Sequence, residues 1–182
     1  MKTFTTSTWI KLAIWIVLLV IQLCSVQAQY SQQWVSTLNS PGNKTSVLKD
    51  ASDNLYTFGG NKLAKFNSAG AQLWSASTDN ITAMALDNSG NIYVTGGYGT
   101  VPYGYIFVKK FSNSGTEVMS KISGGGMNYI YTPIDITVDN NGNIYVYSSL
   151  FVTGTYHSGS CRLFKFDNAG NDVWNINPSG IS

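Results

Sequence analysis

From residue 29 onward, apolar and polar residues alternate in short runs that are cut by clusters of Gly, Asn, Ser and Asp. In "NIYVTGG" (91–97), Ile92 and Val94 fall on one side of an extended chain and Tyr93 and Thr95 on the other, because successive strand side chains point to opposite faces. Apolar residues on both sides predict a sheet covered on both faces. The neighbouring runs "ITAMALD" (81–87), "YIFVKKF" (105–111) and "TEVMSKI" (116–122) are rich in β-branched and aromatic residues and read as three further strands. No sustained i, i+3, i+4 apolar spacing occurs in this part of the chain, so no helix is predicted there.

The pattern repeats. "DASDNLYTFGG" starts at Asp50, "DNSGNIYVTGG" at Asp87 and "DNNGNIYVYSS" at Asp139, offsets of 37 and 52 residues. Behind each phrase comes a second one: "KLAKFNSAGAQLW" (62–74), "IFVKKFSNSGTEVM" (106–119) and "RLFKFDNAGNDVW" (162–174). Lys65, Lys110 and Lys165 coincide, as do Gly70, Gly115 and Gly170. Trp34, Trp74 and Trp174 share one place in the unit, which Met119 takes in the middle repeat.

The Asp/Asn/Gly clusters between the runs are turn chemistry: Asn and Asp bond to nearby backbone, and Gly supplies positive φ. Asp139, Asn141 and Asn143 also have the alternation of a calcium loop. The acidic residue that would complete an oxygen cage is missing, and the glycine is misplaced. A hairpin is the expectation.

Residues 1–28 stand apart. Lys2 and Lys11 precede or border the apolar run "LAIWIVLLVI" (12–21), and "SVQA" ends at Ala28 with small residues at Val26 and Ala28. That is the build of a secretory signal peptide, and the run is shorter than the roughly 20 residues a membrane span needs. Cys24 does not sit in a lipobox, since Leu23 before it is too bulky. Removing the segment takes two of the 11 basic residues and leaves nine against nine acidic ones. No basic patch remains for nucleic acid, no membrane anchor is expected after cleavage, and Cys161 alone cannot form an internal disulfide.

Four short antiparallel strands repeated at this spacing predict a β-propeller blade. The expected layout is an orphan outer strand at 29–39, then blades at 45–77, 81–123 and 131–178, all within residues 29–182. The pattern D-x-x-GN-[IV]-Y-V-x-G … K-[FY]-x-x-x-G-x-x-x-W resembles the SBBP (seven-bladed β-propeller) repeats of bacterial exported proteins, over residues 30 to 178. The resemblance implies an exported bacterial protein at or outside the cell surface. Three blades and one strand do not close a ring, since propellers typically use four to eight blades. Open blade faces and self-association through them are therefore expected, as for a piece of a larger propeller.

Function is expected on the second-to-third-strand and blade-to-blade connections, whose lengths vary: 98–104, 123–132 and 149–160. Tyr98, Tyr103, Tyr129, Tyr131, Phe151 and Tyr156 are the candidate ligand-binding residues, suited to a protein or carbohydrate partner. Catalysis is not expected. His157 is the single histidine and no G-x-S-x-G elbow occurs. His157 and Cys161 supply only two of the four ligands of a structural zinc site, and Glu117 is the only glutamate, so no cofactor or metal is assigned. "FDNAGNDVW" (166–174) is similar to the tryptophan-docking motif of quinoprotein dehydrogenases, but its Asp-to-Gly spacing is one residue short. A quinoprotein- or glycosidase-like enzyme would need its catalytic residues in further blades.

Overall fold

The structure is a computed structural model and describes residues 45–59, 61–100, 103–153 and 159–178. The expected signal peptide (1–28), the orphan strand (29–39) with Trp34, and Tyr156 and His157 lie outside the described residues. Twelve strands follow one another: β1 (Thr45–Lys49), β2 (Leu55–Gly59), β3 (Lys62–Phe66), β4 (Gln72–Ser77), β5 (Ala83–Leu86), β6 (Ile92–Thr100), β7 (Tyr103–Phe111), β8 (Glu117–Ser123), β9 (Tyr129–Val138), β10 (Ile144–Val152), β11 (Gly159–Phe166) and β12 (Asp172–Ile176). No helix occurs among the described residues. The fold is all-β and antiparallel in three four-stranded meanders, β1–β4, β5–β8 and β9–β12. One parallel bridge, Tyr103 to Tyr129, joins the second and third meanders in a single eight-stranded sheet. Neither sheet closes on itself.

The alternation along each strand explains how the meanders pack. Ile92, Val94, Phe107 and Phe111 lie in one core with Tyr56, Phe58 and Leu63 of the first meander. From the opposite face, Tyr93, Ile106 and Val108 share a second core with Ile136, Ile144, Val146, Phe164 and Phe166 of the third. The second meander is thus buried on both faces, and its neighbours are stacked on it. Each fully buried Phe or Ile side chain contributes roughly 1.5–3 kcal/mol. An exposed ion pair such as Lys49–Asp53 adds little, being screened by solvent. Apolar burial between meanders therefore dominates, and a single meander would leave it unmade.

The strands run further than their sequence signals. Residues 98–104 read as a loop, yet β6 continues through Thr100 and β7 begins at Tyr103, with Tyr98 opposite Tyr105 and Thr100 opposite Tyr103. The glycines there serve close packing. A Cβ on Gly96 would strike the Asn80 carbonyl and the Phe107 ring, and one on Gly104 would lie 2.9 Å from Ile130 Cα. Residues 129–132 and 149–152 are likewise strand, in β9 and β10.

Candidate functional site

The repeated phrase builds a clasp. Asp50 Oδ1 accepts the N–H groups of Ser52 and Asn54, both at 2.9 Å, and Oδ2 accepts the Asn54 amide at 2.9 Å and the Tyr56 hydroxyl at 3.2 Å. Asp87 holds Ser89, Asn91 and Tyr93 in the same way, and Asp139 holds Asn141, Asn143 and Tyr145, with Tyr hydroxyls at 3.2 and 3.1 Å. Both oxygens of each carboxylate are occupied. Burial works to raise the Asp50 and Asp87 pKa values, but the hydrogen bonds outweigh it and hold Asp50 at about 2 and Asp87 below the usual range. For Asp139 the Asn143 amide is the largest influence, and it lowers the value. These carboxylates are spent on turns, and no cluster of three or more His, Cys, Asp or Glu able to hold a metal occurs among the described residues.

A lysine caps each tyrosine: Lys65, Lys110 and Lys165 lie 4.8, 4.9 and 5.3 Å from the ring centres of Tyr56, Tyr93 and Tyr145. Lys65 is buried, 3.6 Å from Asp50 Oδ2, and donates to Asn113 Oδ1 of the second meander. The Tyr56 hydroxyl reaches across as well, 3.3 Å from the Gly90 carbonyl and 3.2 Å from Asn113 Oδ1. Burial pushes the Tyr56 and Tyr93 phenols well up and upward respectively, so both stay protonated.

Asp79 and Asp135, for which the sequence offers no evident partners, also find local ones. Asp79 pairs with Lys109 at 2.9 Å, which meets Glu117 at 3.5 Å as well. Asp135 accepts the Ile136 N–H at 2.9 Å. Both are accounted for by neighbours on the fold itself.

The candidate ligand residues separate into three places. Tyr98 and Tyr103 are exposed on one face of the β6–β7 hairpin. In register, that hairpin continues four pairs past the point where the β2–β3 hairpin turns at Gly59 and Lys62, so both rings stand clear of the first meander. Tyr129 is partly exposed and bridges to Tyr103 through the backbone. Tyr131 is buried, packed edge-on against Phe164 at 5.6 Å, and belongs to the core. Gly124, Gly125 and Gly126 run against the rings of Tyr131, Tyr105 and Tyr129. Phe151 is exposed on the far face of the third meander, paired with Ile130 and Gly159.

A polar cleft of about 200 Å3, lined by Asp87, Asn88, Asp139, Asn140, Gly142 and Asn168 among others, lies between the turns of the second and third meanders. Asn88 donates to Asn140 across it at 3.3 Å. Turn chemistry alone does not point to this cleft. Its signal in the sequence is the second residue of the "DN" pair, an Asn whose side chain has no part in the turn.

No family model matches the chain, and no curated protein matches it. Among solved structures, a protein of unknown function from Bacteroides caccae aligns over 72% of this chain and 80% of its own, at 11% identity and a TM-score of 0.30. That likeness is too slight to bear on fold or function.

Proposed function

We propose that the chain is an exported, non-catalytic β-propeller repeat protein that binds a protein or carbohydrate ligand at or outside the cell surface. The observation that carries this reading is the pair of exposed rings, Tyr98 and Tyr103, on a hairpin that rises past its neighbour. A rigid stacked-sheet scaffold with aromatic side chains at its rim suits sugar faces and peptide side chains, which aromatic rings bind through apolar contact while the phenol hydroxyl hydrogen-bonds. Two further observations support it. The meanders stack face to face, as propeller blades do, and the carboxylates of the β1–β2, β5–β6 and β9–β10 turns are occupied structurally. The resemblance to SBBP repeats supports export.

The test is a glycan array and a peptide array probed with the secreted protein, after N-terminal sequencing of that protein for a start at Gln29. Binding that the Tyr98→Ala, Tyr103→Ala double variant reduces by about tenfold or more, as removal of aromatic anchors does, is the expected result. Binding unchanged in that variant, or a protein retained in the cytoplasm with Met1 intact, overturns the reading.

A further inference from the structure

The third meander shows to solvent the surface that the first two bury. Tyr56 and Tyr93 are both 0% exposed, whereas Tyr145, at the same place in the unit, is only half-buried. Leu63 and Val108 are buried, and Leu163 is half-buried. Trp174 is 37% exposed and Ile176 beside it 48%. Tyr145 still holds Asp139, Lys165 still lies over its ring, and Trp174 still packs against it at 6.3 Å. The surface is assembled as in the other meanders.

What covers such a surface is seen twice within the chain. On the first meander, Trp74 donates to the Asn113 carbonyl at 2.9 Å and its ring lies over Gly115 in the β7–β8 turn of the second. On the second, Met119 lies over Gly170 in the β11–β12 turn of the third. Both glycines have left-handed backbone, φ 86° and 83°, and both follow an Asn by two residues.

We infer that the Tyr145–Lys165–Trp174 face docks a further four-stranded meander of this same repeat, in the orientation the second meander takes on the first. Its third-to-fourth-strand turn brings a left-handed glycine under Trp174, a carbonyl to the indole N–H, and an Asn oxygen to Lys165 and the Tyr145 hydroxyl. The inference rests on the stacked-repeat part of the proposed function and is independent of any ligand at Tyr98 and Tyr103.

The experiment fuses a second copy of residues 124–178 after Pro178 and follows hydrogen exchange in the added strands. A repeat unit depends on its neighbour for stability, so docking is expected to slow their exchange by about tenfold or more over the free peptide. A Tyr145→Ser, Trp174→Ala double change on the accepting face is expected to abolish that protection while β5–β8 exchange is unaltered. An added meander that stays unprotected overturns the inference, as does one equally protected in the double variant. Sedimentation of the unextended chain supplies the remaining outcome: self-association that the double change removes, with no protection of the added meander, replaces the inference with pairing between copies. None of these readouts depends on glycan or peptide binding.

Discussion

Trp74 lays its indole directly over Gly115 of the next meander, so that a Cβ at residue 115 would sit 2.7 Å from the indole Cδ2. The same turn returns a hydrogen bond to the ring through the Asn113 carbonyl. Gly115 is therefore required twice, by its φ of 86° and by the ring above it. Gly115→Ala is expected to cost about 2–4 kcal/mol, from left-handed strain and overpacking together. Gly170 carries the same backbone, but its neighbour is the flexible Met119 side chain, so Gly170→Ala should cost only about 1–2 kcal/mol. Urea unfolding of the two variants checks this; equal losses would sink it.

Tyr56 offers one phenol proton to Asp50, to the Gly90 carbonyl and to Asn113, all within 3.3 Å. Tyr56→Phe should remove about 1.5–3 kcal/mol, the range for a hydrogen bond to a charged group. Tyr145→Phe touches only Asp139 on a half-open face and should cost less than half as much. Equal changes in the urea midpoint would contradict the bridging role given to Tyr56.

Asp53 is the one non-glycine residue with left-handed backbone at the turn position where Gly90 and Gly142 stand, with φ 61°. Asp53→Gly should raise stability by about 0.5 kcal/mol, because the relief of left-handed strain exceeds the added chain entropy and the lost exposed pair with Lys49. Asp53→Val should lower stability by about 1 kcal/mol. Thermal melts of the two variants test the sign, and an Asp53→Val variant that melts above the parent would refute the strain argument.

Acid should loosen the turns together. Asp50, Asp87, Asp139 and Asp167 are all held below their ordinary value of 3.8, Asp50 at about 2. A carboxyl whose folded value is depressed stabilises the fold above its unfolded value and loses that contribution as pH falls through the folded one. Melting temperature should therefore hold from pH 7 to about 5 and drop between about pH 4 and 2. Asp50→Asn should flatten the drop. At the alkaline end, the raised Tyr56 and Tyr93 values make the opposite limb, with stability present below pH 10 and lost above it. A melting temperature that is level down to pH 2 would show that the carboxylates are not held as described.

Much of this was legible in the chain. The coincidence of Lys65, Lys110 and Lys165 placed three strands in register, and the Asp-x-x-Gly-Asn clusters located the turns. Local chemistry decides both, so a local reading finds them. The inner part of the β6–β7 hairpin is read correctly, but its outer end at 98–104 reads as a loop because Gly99 and Gly104 look like turn residues. Gly104 has a tertiary reason, the approach of the Ile130 backbone, which no local pattern records. Tyr131 failed for a similar reason. An aromatic next to a glycine run reads as loop, and only the position of Phe164 shows that it lies in the core. The cleft at Asn88 and Asn140 was hidden because the two residues are brought together by stacking across 52 positions of sequence.

The repeated part of the contact between meanders is carried at fixed places within one unit: a Trp or Met on the fourth strand, a Tyr on the second, a Lys on the third and a Gly in the last turn. An interface encoded this way is indifferent to which two units meet. Duplication or deletion of one unit in the gene leaves the rules of assembly intact, so the length of the array is free to drift while the joint between units is not. The exposed side chains at the hairpin tip, Tyr98 and Tyr103, are then left as the portion of each unit that selection can redraw one unit at a time.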